Sequence, residues 1–397
     1  MTLQEKIAAM ESCRGHNRPL PALRRLLDQY LPEHKKLELI QVAGTNGKGS
    51  TSAWLSALLQ KDGFQTGTFT SPHLVSHFER MAINGKPIPA ADWEKIYDLW
   101  KPLFEKERFT MFEMDLWMAL TWFISEGVDV AILEAGLGGR QDATTALDYK
   151  ATLVTNVGLD HMEYLGDTKE KIAWEKAGVF SRNTPALTAE SAPEVLAVLQ
   201  REASRIGTKL ERVALAGTES GHFMHLAIGS EFVDWDLLRV PRYQLGNFAL
   251  ALGAMESCGY PVHPEDVQEV IDRFCWPGRF EMLRSSPSLL LDGAHNVPGI
   301  SALVQSLKVF SGNIYFSVLK DKQARTMIRH LQSLDCPLTL VAFDSYRLGD
   351  LEGLEKEFGL PVISIEQLMD TLQTTDTPAL VCGSLYLIGE VKKRWPA

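Results

Sequence analysis

Leu37 to Val42 (LELIQV) is a short apolar, partly β-branched run of the kind that forms a buried strand, and Thr51 to Gln60 follows with Trp54, Leu55, Leu58 and Leu59 at helical spacing. Before them, residues 1–36 place Ile7, Ala8, Leu23, Leu26, Leu27 and Leu31 at helical intervals, which predicts a helical lead-in. After them the alternation goes on: a strand over Gln65–Phe69, a helix over Met111–Ile124, and strands over Val128–Leu133 and Ala151–Val154. A helix capped by Asp167 and Glu170 runs through Lys176, then a strand (PALTA), a helix (APEVLAVLQREASRIG) and a strand-rich stretch lead to about residue 240. Helices at Asn247–Ser257 and Glu265–Phe274 close this half. Cys275-Trp276-Pro277-Gly278-Arg279-Phe280-Glu281 then breaks the pattern, because adjacent Pro and Gly mark a hinge. Beyond it the alternation restarts: strands at Ser288–Leu291, Asn313–Val318, Pro337–Phe343 and Pro361–Ile365, with helices at Ile300–Phe310 and Gln323–Leu334. The expectation is an α/β protein of two domains, residues 1–277 and 278–397, with a cleft between them.

Composition changes this picture little. A chain of 397 residues exceeds one ordinary core, and 45% hydrophobic with 23% charged residues is ordinary for a globular protein. The net charge of −10 argues against a nucleic-acid or anionic-membrane surface, and Arg14, Arg18, Arg24 and Arg25 read as a solvated face. Five scattered cysteines without CxxC spacing read as free thiols. With no apolar signal region and no run of about 18 apolar residues, a cytoplasmic location is expected, and a monomer is the default.

The chemistry concentrates where strands end. Ala43-Gly44-Thr45-Asn46-Gly47-Lys48-Gly49-Ser50-Thr51 sits between a strand and a helix, the context of a P-loop. Its glycines turn backbone N–H groups toward phosphate oxygens, and Lys48 and the helix dipole add positive potential. It is a variant loop, with Val42 where the first glycine belongs and Gly49 between Lys48 and Ser50. Ser71, before Pro72, lies on a loop beyond a strand end, where open parallel sheets bind ligands. Glu134 ends an apolar strand near the P-loop, the geometry of a carboxylate that holds Mg²⁺. Asp292 ends another strand in the same way, whereas Asp115 is expected only to complement its helix dipole. Lys176 falls on the apolar side of its helix, so it either snorkels to the helix end or is buried as a neutral amine able to capture CO₂ as a carbamate.

Together AGTNGKGST, TSPHL, EAGLGGRQDATT, TNVGLDHMEYLGDTKEKIAWEKAGV, WPGRFE, LDGAHN and GSLYLIGEV resemble the folylpolyglutamate synthase and dihydrofolate synthase family, in the family's order over residues 43–389. That family belongs to the Mur ligase superfamily, so the resemblance implies a P-loop ATPase domain of Mur ligase type followed by a smaller Rossmann-like domain. It implies that Gly47, Lys48, Gly49 and Ser50 hold ATP phosphates, that Asn247, Arg279 and Asp292 contact ATP, and that Ser71, Glu134 and His161 ligate Mg²⁺; because Mg²⁺ prefers oxygen, the residues alone leave His161 orienting a metal-bound water as the alternative. It marks Lys176 as the carbamylated lysine, puts His295 at the reaction centre, and assigns Thr110, Met111, Phe112, Glu113, Gln141, Asp142 and Ala143 to the pterin pocket. Thr145 in DATT, Tyr243-Gln244, and Phe343-Asp344-Ser345-Tyr346-Arg347 depart from the usual family wording.

The activity implied is ATP-dependent addition of L-glutamate to a folate, with dihydropteroate a further acceptor. Lys48, Lys176 and His295 carry the chemistry and an acyl phosphate joins its two halves. The rivals are a Mur ligase that builds peptidoglycan peptides, which shares the P-loop and the metal acid, and a non-catalytic nucleotide switch, which needs no carbamate.

Overall fold

The computed structural model describes residues 1–13, 15, 18–213, 223–228, 231–237, 240–307 and 310–396. Arg14, residues 308–309 of the expected Ile300–Phe310 helix, and much of the stretch after residue 213 lie outside the described residues. Two compact units form: Met1–Val240 with Gln244–Phe274, and Cys275–Ala397 with Pro241–Tyr243.

The first unit is built on an eight-stranded sheet. In chain order its strands are β1 (Glu38–Ala43), β2 (Thr66–Phe69), β3 (Met81–Ile83), β4 (Lys86–Pro87), β5 (Val130–Glu134), β6 (Ala151–Val154), β7 (Ala186–Thr188) and β8 (Leu210–Arg212). They lie in the order β4-β3-β2-β5-β1-β6-β7-β8. All neighbours from β2 to β8 pair in parallel, while β3 and β4 add antiparallel partners at the edge. Strand side chains alternate between faces, and each face has its own core. Leu39, Phe69, Ala131 and Leu133 pack with the helix Met111–Ser125, and Ile40, Val42, Val130 and Ile132 pack with the helices Lys48–Lys61 and Arg242–Ser257. Burying a large apolar side chain contributes about 1.5–3 kcal/mol, so a strand covered on both faces holds its residues firmly. A separate antiparallel pair, β9 (Phe223–Ile228) and β10 (Glu231–Asp236), completes this unit's strands.

The second unit has a six-stranded sheet of β11 (Glu281–Ser285), β12 (Ser288–Asp292), β13 (Asn313–Phe316), β14 (Leu338–Ala342), β15 (Val362–Ser364) and β16 (Ala379–Cys382), in the order β11-β12-β16-β13-β14-β15. Only the β11–β12 pair is antiparallel. The chain at Arg279–Glu281, expected to be hinge alone, thus leads directly into a strand.

Two local expectations are corrected. The helix before Lys176 is capped by Thr168, whose side chain accepts the Lys171 N–H, while Asp167 lies outside it and pairs with Lys171 Nζ at 2.7 Å. Arg18 is no solvated residue: its Nε lies 3.0 Å from Glu113, and its guanidinium stacks 4.3 Å from the centre of Phe109.

Candidate active site

The parallel register puts the ends of four strands side by side. Glu134 is opposite Val42, Leu133 is opposite Phe69, and Val154 is opposite Ala43. The loops after β1, β2, β5 and β6 therefore leave from one edge of the sheet, the edge at which open α/β sheets bind ligands.

The P-loop begins at Gly44 and the helix at Lys48. Gly44 has φ +148, and a Cβ there would lie 1.8 Å from Thr155 Oγ1. Gly47 has φ +86, and a Cβ would lie 2.2 Å from Asn247 Oδ1. Both positions require glycine for space as well as for backbone angle. The loop after β6 holds the P-loop from one side: Asn156 Oδ1 accepts the Asn46 N–H at 3.1 Å, and Thr155 Oγ1 donates to Asn46 C=O at 2.6 Å. Gln244 holds it from the other, donating to Ser50 Oγ at 3.1 Å and accepting from Asn247 at 2.9 Å.

Lys48 Nζ lies 3.6 Å from Glu134 Oε1. The other carboxylate oxygen of Glu134 accepts the Ser71 N–H at 3.2 Å. Glu134 is 3% exposed, so it is no surface acid. Lys176 is buried as well, and its Nζ donates to Gly44 C=O at 2.8 Å. Burial lowers its pKa to about 7, and Lys48 pushes the same way against Asp160, Asp142 and Glu175. The snorkelling alternative fails because the ammonium end points at the P-loop. His161 is exposed, with φ +51, at the start of the short helix Met162–Leu165.

The residues expected around a pterin divide into fasteners and lining. Thr110 caps the helix Met111–Ser125, and Glu113 closes that capping box while pairing with Arg18. Asp142 is buried and accepts from the Leu137 N–H, the Thr144 N–H and the Thr144 hydroxyl; burial raises its pKa against those hydrogen bonds. Phe112 connects the two segments, since a Cβ on Gly136 would lie 2.7 Å from its ring. Gln141 is exposed, Ala143 is buried and Met111 is half-buried. Thr145, the departure in DATT, has a partner here: buried Gln41 of β1 donates to both Thr144 and Thr145 at 2.8 Å.

Asp115 overturns its expectation. It is 0% exposed, and its carboxylate lies 2.8 Å from His77 Nε2 and 3.3 Å from Arg80. Burial disfavours the charged His77 ring, but Asp115 and Glu11 outweigh it and raise its pKa. Glu11, His73 and His77 bring three donor atoms within 4.8 Å of one another, a grouping of the type that holds divalent metals. Arg80 Nε donates to His73 Nδ1 at 3.1 Å, which sets a guanidinium against that grouping. Sequence reasoning missed His77, Arg80, Gln41 and Gln244; only TSPHL itself, which holds His73, drew attention to that loop.

In the second unit Asp292 accepts from Tyr243 Oη at 2.5 Å, the Phe280 N–H at 2.9 Å and the Ala294 N–H at 2.8 Å, and burial raises its pKa. The Tyr243 departure thus supplies a donor to the strand-end acid. Arg279 Nη1 lies 3.1 Å from Gly278 C=O, and His295 Nδ1 lies 2.8 Å from Gly293 C=O, which fixes its ring proton on Nδ1.

Residues 42–220 match the Mur ligase middle domain. Over 94% of its length the chain is 32% identical to the dihydrofolate synthase/folylpolyglutamate synthase of Bacillus subtilis, of which it covers 94%. The chain belongs to the folylpolyglutamate synthase/dihydrofolate synthase family. Its fold is likewise that of the family's solved structures. Escherichia coli FolC in complex with ADP aligns over 98% of this chain and 96% of its own, with TM-score 0.87 and 28% identity. A bifunctional folylpolyglutamate synthase/dihydrofolate synthase with Mn, AMPPNP and L-glutamate bound aligns over 99% and 98%, with TM-score 0.88 and 29% identity. The two-unit α/β architecture of a Mur-type ATPase is therefore a family property, as the motifs implied. Among the described residues no helix is long and apolar enough to cross a membrane.

Proposed function

We propose that this chain is an ATP-dependent ligase that joins L-glutamate to the carboxylate of a folate, releasing ADP and phosphate, and that it accepts dihydropteroate as well. Family membership and the convergence of Lys48, Glu134 and the Ser71 loop at the P-loop edge support this reading. The single observation that carries it is the buried Glu134 carboxylate, facing Lys48 at 3.6 Å at the start of the helix that follows the glycine loop.

A carboxylate is a poor electrophile, so the acceptor carboxylate oxygen attacks the γ-phosphorus of ATP and ADP leaves. Lys48 and the N–H groups at the start of the helix Lys48–Lys61 bind the transferring phosphoryl group and spread its charge. The neutral amine of glutamate then attacks the acyl carbon, and phosphate leaves with the former carboxylate oxygen. Mg²⁺ fits the donor chemistry of this edge: a buried carboxylate and a serine hydroxyl are hard oxygen ligands, and Ser71 is already tied to Glu134. Ser71, Glu134 and His161 are the residues that would hold it, and when bound it neutralises phosphate charge. Lys176, with its pKa near 7, supplies a neutral amine that combines with CO₂ and loses a proton to become a carbamate. Gln244 and Asn247 support Gly47 and Ser50 from behind. Arg279, Asp292 and His295 are assigned ATP and reaction roles by the family's motifs, and Thr110–Glu113 with Gln141–Ala143 the pterin.

The test offers tetrahydrofolate and dihydropteroate in parallel with Mg²⁺-ATP and L-glutamate, and separates the products by mass. Glutamyl products from both acceptors are expected. ADP release with no glutamyl product from either would overturn the reading.

A further inference from the structure

The loop Thr70–Arg80 carries Ser71 from the end of β2 to the start of β3. Much of its bonding is internal: Thr70 N–H donates to Arg80 C=O at 2.9 Å, and the Glu79 carboxylate accepts the N–H groups of Leu74, Val75 and Ser76. Such bonds shape the loop, and β2 and β3 hold its two ends in the sheet, while its middle is placed by side chains. Asp115, on the helix Met111–Ser125, reaches two of its side chains at once, His77 Nε2 at 2.8 Å and Arg80 Nη1 at 3.3 Å. All three groups are buried, with Asp115 at 0%, His77 at 5% and Arg80 at 7% exposure. Asp115 thus makes one hydrogen bond, to His77, and one ion pair, to Arg80, and at that depth its loss leaves a guanidinium without its counter-ion. The other end of the same loop, two residues beyond β2, meets Glu134 through the Ser71 N–H, and the bond from Thr70 N–H to Arg80 C=O ties the two ends together.

We propose that Asp115 is a positioning residue for the metal site, holding the Ser71 end of the loop against Glu134 by way of His77 and Arg80. The inference rests on the metal reading of Ser71 and Glu134 given above. It follows the general behaviour of metal sites, in which groups behind the ligands change metal affinity by about 10–100-fold when removed. Asp115 itself touches neither metal nor substrate.

The experiment titrates Mn²⁺ into the full chain bound to a non-hydrolysable ATP analogue, following free Mn²⁺ by electron paramagnetic resonance. In Asp115→Asn, which keeps shape and loses charge, Mn²⁺ should bind about tenfold more weakly, with metal-free nucleotide binding unchanged. In the ligase assay the Mg²⁺ concentration for half-maximal rate should rise by a similar factor, while kcat at saturating Mg²⁺ stays within about threefold of the parent. Arg80→Lys, which keeps a cation but cannot bridge Asp115 and His73, should shift Mn²⁺ binding in the same direction and stands in if Asp115→Asn does not fold. Mn²⁺ binding lost in Glu134→Gln but unchanged in a folded Asp115→Asn or Arg80→Lys overturns this proposal alone. Unchanged Mn²⁺ binding in Glu134→Gln overturns the metal reading and this proposal with it. A parent that binds Mn²⁺ but forms no glutamyl product overturns the ligase reading while leaving the positioning role standing.

Discussion

Glu134 ends β5 in the first unit and Asp292 ends β12 in the second; both are buried acids at the end of an apolar parallel strand. Their sequence contexts are alike, yet their surroundings differ. Glu134 faces the Lys48 ammonium and takes one N–H from the Ser71 loop, the two elements proposed above to meet phosphate and metal. Asp292 accepts three hydrogen bonds from its own unit, one from the Tyr243 hydroxyl and two from backbone N–H groups. A strand-end carboxylate takes its role from what surrounds it: beside a cation and a glycine loop it answers to ligand charge, and ringed by backbone donors it shapes a turn.

The largest effect is expected where the comparison is sharpest. Lys48→Ala should lower turnover by about a thousandfold or more with a melting temperature near the parent's, because it removes the cation proposed to bind phosphate without opening a core. Near-parent turnover in the folded variant would break the first half of the comparison. Glu134→Gln should follow, with activity falling about a hundredfold at fixed Mg²⁺ and recovering in part as Mg²⁺ is raised.

Lys176 extends the same region. Lys176→Ala should be folded and about a hundredfold less active, with short carboxylates restoring part of the rate by filling the vacated space. Burial brings its pKa from 10.5 to about 7, so the folded chain releases the proton as pH rises through 7 while the unfolded chain keeps it to about 10.5. The folded state therefore gains stability as pH rises across that window, and carbamate formation becomes easier as pH passes 7. Mass spectrometry of the native protein after bicarbonate exposure at pH 6 and pH 8 should show more carbamate at pH 8; equal amounts count against the assignment.

Asp292→Asn should act chiefly on stability. An amide can accept from fewer of the three donors, and leaving one buried N–H unpaired costs about 1–3 kcal/mol, read in a denaturant melt. A full-stability Asp292→Asn would show that the two acids are less different than their surroundings imply. The smallest effect is expected at Thr145→Val, which removes a hydroxyl bonded to Gly139 C=O at 2.7 Å and to Gln41. It should lower stability by about 1 kcal/mol and leave metal dependence unchanged.

Much of the fold could be read from the chain because both sheets follow simple periodicities. Short apolar runs mark β1, β5 and β12, and Trp54, Leu55, Leu58 and Leu59 mark the helix after the P-loop. The strand-end positions of Lys48, Ser71 and Glu134 followed from that order. The pairing of distant polar residues did not. Asp115 looked like an N-terminal helix acid because His77 and Arg80 are over 30 residues away in sequence, and nothing local reveals that the helix faces them. Arg18 misled for the same reason, since Glu113 lies 95 residues on. β4 and β11 are short edge strands and β3, beside β4, has three residues; with little apolar alternation they went unread.

In the proposed reaction the acceptor carboxylate is phosphorylated before glutamate attacks it. An acceptor folate carrying ¹⁸O in its reacting carboxylate, incubated with Mg²⁺-ATP and L-glutamate, tests this most directly. Each inorganic phosphate released should acquire one oxygen from that carboxylate. Glutamyl product formed alongside phosphate free of ¹⁸O would contradict it.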